Sequence, residues 1–230
     1  MAPHAGYIYS GPVAAHSYLH VSSMHTPQLI VIVAPNHYGL GSGVATFQEG
    51  VWQTPLGGVE VDGDAATKIV ELTGIVDYDT AAHKMEHSLE VQLPFLQEIY
   101  GNSIRILPIS LAFQDAETAR AVGLGIAELV KGKDAVLIAS SDLTHYEPAD
   151  KAKSKDFTLI KEIEQLDVDG FYTTLDRNRV TACGYGAIAA VMQASKSLGF
   201  KKGELLKYAN SGDSTGDIRT VVGYASLRFV

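Results

Sequence analysis

Two histidines follow an Ala-Pro pair and precede a glycine-rich turn: His4 in "MAPHAGYIYSG" and His37 in "VIVAPNHYGLGSG". Neutral imidazoles are the usual nitrogen donors for zinc, copper and iron, so two of them in matching contexts point to one shared metal ion. Neither stretch has the spacing of a phosphate-binding loop; the glycines read as tight turns that let backbone come close to a ligand. Cys183, the single cysteine, lies in "VTACGYGAI". With Thr181 as the N-cap, its thiol is expected in the first turn of a helix, where backbone N–H groups and the helix dipole favour a thiolate, a soft metal ligand.

Two polar clusters accompany these donors. In "HKMEHSLEVQLPF" the residues His83, Glu86 and His87 match H-x-x-E-H, a zinc-protease spacing. Here the match opens a helix with a Leu89/Leu93/Leu96 core stripe, within a strand-helix alternation foreign to those proteases. The preferred reading turns Glu86 and His87 into a pocket and leaves His83 exposed. "SSDLTH" places Ser141, Asp142 and His145 just beyond an apolar strand. Ser141 does not stand in a G-x-S-x-G elbow, which argues against a serine hydrolase, whereas His145 suits acid-base work beside a metal-bound substrate. Asp142 is expected to cap the turn that follows it.

These residues must be positioned by buried elements. Residues 28–34, "QLIVIVA", form a β-branched run that reads as a strand buried on both faces, as do residues 104–111 and 135–139. Amphipathic segments at 63–73, 88–100 and 117–130 read as helices between them, which implies a mostly parallel sheet covered on both sides. Helices at 151–166 and 182–198 follow, then two strands, 205–209 and 219–229, that pair antiparallel. Asn210 to Asp217 reads as a loop. In such sheets ligands gather beyond the carboxyl ends of the strands, where His37 and the residues from Ser140 to His145 fall. By the same logic "APHAGY" should follow a strand, so a native start upstream of Met1 is expected, with His4 less firmly held in its absence.

The chain has 230 residues, 46% of them apolar, which suits one domain over residues 1–230. Its net charge of −8, from 26 acids against 18 bases and without long runs of either sign, argues against nucleic-acid binding. No apolar run has membrane-spanning length and one cysteine cannot form an internal disulfide, so a cytoplasmic protein without a membrane partner is expected.

Taken together, "APHAGYIYSG", "APNHYG", "EHSLEVQLPFL", "SSDLTHY" and "TACGYGAI" resemble the Memo family, in order and over nearly the whole chain. The resemblance implies a three-layer α/β/α sandwich, related in fold to class III extradiol dioxygenases, with a mostly parallel sheet and antiparallel C-terminal strands. It implies metal ligands at His4, His37 and Cys183, and pocket residues at Glu86, His87, Asp142 and His145; His83 has no counterpart. In the dioxygenases two histidines and a carboxylate hold iron; here Cys183 stands at the carboxylate's place. A thiolate widens the expected ion from iron to copper or zinc. Two functions follow: metal-dependent redox or dioxygenase-type chemistry on a small molecule, in which His145 and His87 move protons, or non-catalytic binding of a phosphopeptide or small ligand in the same pocket. The resemblance also implies a functional link to a radical-SAM protein, and an open sheet edge suggests a homo-oligomer.

Overall fold

A computed structural model describes residues 1–23 and 25–230. The central sheet is built from β1 (Leu29–Pro35), β2 (Val44–Thr46), β3 (Gly50–Thr54), β4 (Gly57–Val61), β5 (Asp77–Tyr78), β6 (Arg105–Leu111) and β7 (Ala135–Ala139). Its main path runs β3-β4-β6-β1-β7, and β1 pairs in parallel with both β6 and β7. A second, antiparallel sheet has the order β8-β10-β9, from β8 (His145–Glu147), β9 (Gly203–Asn210) and β10 (Val221–Phe229).

The alternation of side chains along β1 sorts the layers. Val31 and Val33 point to one side, where they join a core with Leu107, Ile109, Ile69, Ile126 and Val191. Ile30, Ile32 and Ala34 point to the other and meet Tyr18, Leu89, Leu93 and Leu96. The first core is closed by α2 (Gly63–Thr73), α5 (Ala116–Val130) and α8 (Tyr185–Ser197), and the second by α1 (Tyr7–Ser22) and α4 (Leu93–Tyr100), after the short α3 (Ala81–Lys84). The result is an α/β/α sandwich. Against the second sheet lie α6 (Ala149–Glu164) and α9 (Gly212–Thr215), while α7 (Val168–Asn178) packs on α6, α8 and α5. None of the helices among the described residues is long and apolar enough to cross a membrane.

Local chemistry explains several boundaries. The Asp62 side chain accepts the Ala65 N–H at the start of α2, and Asp115 accepts from Glu117 and Thr118 at the start of α5, so each helix begins where an acid can satisfy free backbone donors. The helix expected over 88–100 is divided: a 3-10 turn at Glu90–Gln92 precedes α4, whose first turn contains Pro94. The expected loop from Asn210 to Asp217 contains α9.

Met1 and Ala2 lie between the two sheets. Ala2 forms a parallel bridge to Ser140 and its N–H donates to the Ala139 carbonyl at 3.0 Å, while the Met1 amino group donates to the carbonyl of Leu227 in β10 at 2.8 Å. This anchors the segment directly before His4, which is 2% exposed and firmly held, contrary to the looser attachment expected.

Candidate metal centre

His4 is held from three directions. Its backbone N–H donates to Asp142 Oδ1 at 2.9 Å, its Nδ1 lies 2.9 Å from Ser140 Oγ, and its Nε2 lies 3.1 Å from Cys183 Sγ. Asp142 therefore ties the N-terminal loop to the loop after β7 instead of capping its own turn. The Cys183 position depends on Gly184: a Cβ there would overlap the Ser140 carbonyl oxygen, so only glycine lets the two loops close this tightly. Helix α8 starts at Tyr185 with Gly184 as N-cap, so Cys183 precedes the helix and is not in its first turn. Thr181, expected as the cap, accepts the His145 N–H at 2.8 Å instead.

The thiolate expectation is corrected accordingly. Burial first, and the nearby Asp142 charge second, push the Cys183 thiol up to about 12, against a smaller lowering by the Asp142 N–H that donates to sulfur at 3.3 Å. A free thiol here is neutral, and only a bound cation would hold it as the thiolate.

His37 leaves the carboxyl end of β1 on a loop folded by Asn36, whose Oδ1 accepts the Gly39 N–H and whose amide donates to the Leu40 carbonyl. Its ring is oriented by Glu86, which accepts from His37 Nδ1 at 2.9 Å and from the His37 backbone N–H at 2.6 Å. The same carboxylate accepts the N–H groups of His87 and Ser88, both at 2.9 Å. The imidazole centroids of His4, His37 and His87 stand 5.1 to 5.6 Å apart.

Two sets of donors thus converge, each with its ligand atoms within 4.8 Å of one another: His4, His37 and His87, and His4, Asp142 and Cys183. His4 is common to both. Residues 1–228 match the family described as Memo-like protein. The chain belongs to the Memo family. It is 51% identical over 231 residues to a MEMO1 family protein of Methanopyrus kandleri, covering all of this chain and 82% of that one. A MEMO1 family protein of Nitrosopumilus maritimus is 48% identical over 230 residues, with 83% of its length covered. An uncharacterized protein from Escherichia coli K12 shares the fold, with a TM-score of 0.62 at 17% identity over 93% of this chain and 92% of that one.

Within this Memo-family chain, His87 joins the metal-donor group rather than standing apart from it, and its side chain is 47% exposed. His37 and Cys183 do not fall in one such group. Ligand atoms on a tetrahedral ion stand about 3.5 Å apart, given metal-donor bonds of about 2.0–2.3 Å, so joining these two requires inward movement. The His37 ring, 30% exposed, has room for it. His145 lies in neither group; its Nδ1 is within 2.7 Å of the Leu143 carbonyl and 2.9 Å of the Thr181 carbonyl. Because carbonyls only accept, Nδ1 carries the proton and Nε2 is the free basic nitrogen. A G-x-S-x-G spacing does occur, from Gly212 to Gly216 just after β9, but Ser214 lies exposed inside the short α9 and lacks the strained, positive-φ backbone of a nucleophile elbow.

His83 is not exposed as expected. It is 7% exposed, packed in edge contact with Phe47 and Trp52, and among the described residues neither ring nitrogen has a well-formed hydrogen bond, the Ala45 backbone lying near but poorly aligned. Burial lowers its pKa from 6.5 to about 4 despite the opposing charges of Asp79 and Glu86. Burial likewise lowers His4 to about 4, opposed by Asp142 and reinforced by His37 and His87. In the unfolded chain both titrate near 6.5, so the stability that each neutral ring contributes is complete above that value. It is lost as pH falls toward 4, on the order of 3 kcal/mol for each at the limit. Denaturant unfolding of the metal-free protein between pH 7 and 4 should show this decline. His83→Leu, which removes two unsatisfied nitrogens, should flatten it and leave stability at pH 7 equal or higher.

Proposed function

We propose that this protein holds one transition-metal ion with His4, His37 and Cys183, and that the ion supports redox or dioxygenase-type chemistry on a small molecule. The observation that carries the reading is the His4 Nε2 to Cys183 Sγ approach of 3.1 Å, joining residues 179 apart in sequence beside two further imidazoles. Imidazole and thiolate donors together suit iron, copper and zinc, with iron the first candidate by analogy to the dioxygenases. When bound, such an ion supplies Lewis acidity and, if it is iron or copper, electron transfer. A ligating cysteine must stay reduced, which fits the cytoplasm.

The remaining residues have separate tasks. Glu86, with four N–H groups on its two oxygens, orients His37 and does not serve as a base. His145 moves protons at Nε2. His87 either completes the coordination or shares that proton transfer. Asp142 holds the backbone of His4 and Ala5 through one oxygen.

Anaerobic purification followed by metal analysis and oxygen uptake with a panel of catechols tests the proposal. Near-stoichiometric iron with oxygen-dependent turnover is the expected result. His145→Ala should keep the metal and lower turnover at least 100-fold, in the range of general acid-base contributions; equal loss of metal would make His145 a ligand. Stoichiometric metal with no turnover would favour a second reading, a non-catalytic pocket for a peptide or small ligand. One observation supports that alternative: Tyr38 and Tyr146, next in sequence to His37 and His145, are 57% and 77% exposed, and exposed aromatics are typical anchors for a binding partner.

A further inference from the structure

We infer that Gln92 and Ser140 are positioning residues that lock His4 in the tautomer with its proton on Nδ1, so that Nε2 faces Cys183 as a bare lone pair. The tautomer follows from counting donors; its consequence for metal binding rests on the function proposed above.

Three groups surround Ser140 Oγ: the Ser88 carbonyl at 2.7 Å, Gln92 Nε2 at 2.7 Å and His4 Nδ1 at 2.9 Å. A hydroxyl has one hydrogen to give. The Gln92 amide is oriented independently of the histidine. Its nitrogen also faces the Pro3 carbonyl at 3.1 Å, which can only accept, and its oxygen is met by the Tyr18 hydroxyl at 2.5 Å. Gln92 therefore donates to Ser140. The Ser88 carbonyl has no hydrogen to offer, so the Ser140 hydrogen points to it; aimed at His4 instead, it would leave two oxygens 2.7 Å apart facing each other through lone pairs. His4 Nδ1 must then be the donor. Tyr18, Ser88, Gln92, Ser140 and His4 are all buried, so solvent does not offer a substitute partner.

In the neutral ring this leaves Nε2 unprotonated at 3.1 Å from sulfur. In the metal-free protein that lone pair accepts the Cys183 S–H, and it is the same lone pair that a metal ion requires. Both signals lie outside the histidine motif: Gln92 comes from the turn ahead of α4, and Ser140 from the end of β7. The arrangement prepares the ligand before the ion arrives.

Nitrogen-15 NMR of the metal-free, histidine-labelled 230-residue protein reads the tautomer directly, and zinc titration reads its consequence. The expected wild-type spectrum shows His4 with hydrogen on Nδ1 and a bare Nε2. Ser140→Ala should shift His4 toward the Nε2–H form and weaken zinc binding 10- to 100-fold, the range for lost outer partners of metal ligands, while Ser140→Thr, which keeps the hydroxyl, should restore both. Tyr18→Phe frees the Gln92 amide without touching His4 and should move the spectrum in the same direction to a smaller extent, which keeps the test usable if Ser140→Ala fails to fold. A wild-type His4 protonated on Nε2, or a folded Ser140→Ala protein with unchanged tautomer, would overturn the inference. A locked tautomer with no zinc binding would uphold it and overturn the metal reading instead.

Discussion

For the metal site proposed above, Cys183→Ser should abolish loading while shifting the melting temperature by only a few degrees. The sulfur approaches His4 Nε2 at 3.1 Å, the Asp142 N–H at 3.3 Å and Ser141 Oγ at 3.9 Å, contacts that a smaller hydroxyl keeps in part, and the change removes little apolar area. A serine hydroxyl, however, does not become the anionic soft donor that an ion can draw from a thiol. Elemental analysis should show at least a tenfold fall in metal per chain. Because burial pushes the free thiol up to about 12, binding to the wild-type protein must displace its proton, and affinity should rise with pH by up to tenfold per unit throughout the neutral range. The variant should lose that slope. Unchanged loading would remove Cys183 from the site and leave the His4, His37 and His87 group as the centre.

Glu86→Ala should damage both the proposed metal site and the fold. The carboxylate accepts four N–H groups, and its side chain is 1% exposed. Truncation leaves buried donors without a partner and frees the His37 ring, for an expected loss of about 3–5 kcal/mol in urea unfolding at pH 7 together with a strong fall in metal content. Glu86→Gln should also destabilise, because an amide nitrogen cannot accept the bonds made to either oxygen. Burial by itself would raise the Glu86 pKa, but the bonds from the His37 ring, the Ser88 N–H and the His37 N–H hold it far below the usual carboxylate range. The folded-state pKa is depressed, so this stabilisation is complete above the unfolded value of about 4.3 and is lost as pH falls below it. Wild-type protein should therefore weaken from pH 4 downward through Glu86, whereas both variants should lack that component. Equal acid sensitivity in all three proteins would contradict the four-bond arrangement.

Much of the scaffold was legible because its signals are local. The apolar run before Pro35 marks β1, and the amphipathic period over 63–73 marks α2, through steric and packing rules that act over a few residues. The family motifs named His4, His37 and Cys183 as candidates for the same reason; the structure brings His4 together with each of the other two, in separate donor groups. Distance in sequence set the limits. His83 occupies a site built with Phe47 and Trp52, more than 30 residues earlier, so nothing around it in the chain announces its burial. The cap assigned to Thr181 failed because a hydroxyl that can cap a helix can equally accept from His145, and here the approach of the loop after β7 decided between them.

The chain's periodicity gave a mostly parallel sheet covered by helices, and the order of its motifs gave the family and, through that resemblance, the three-layer architecture and the candidate ligands, since periodicity and motif order are properties of the chain itself. The folded structure decided which donors meet, that His87 stands among them, that Glu86 is saturated with hydrogen bonds, and which nitrogen of His4 is free. These depend on contacts between residues as far as 138 and 179 positions apart, and on counting the hydrogens shared at each buried oxygen. Neither quantity exists until the loops close.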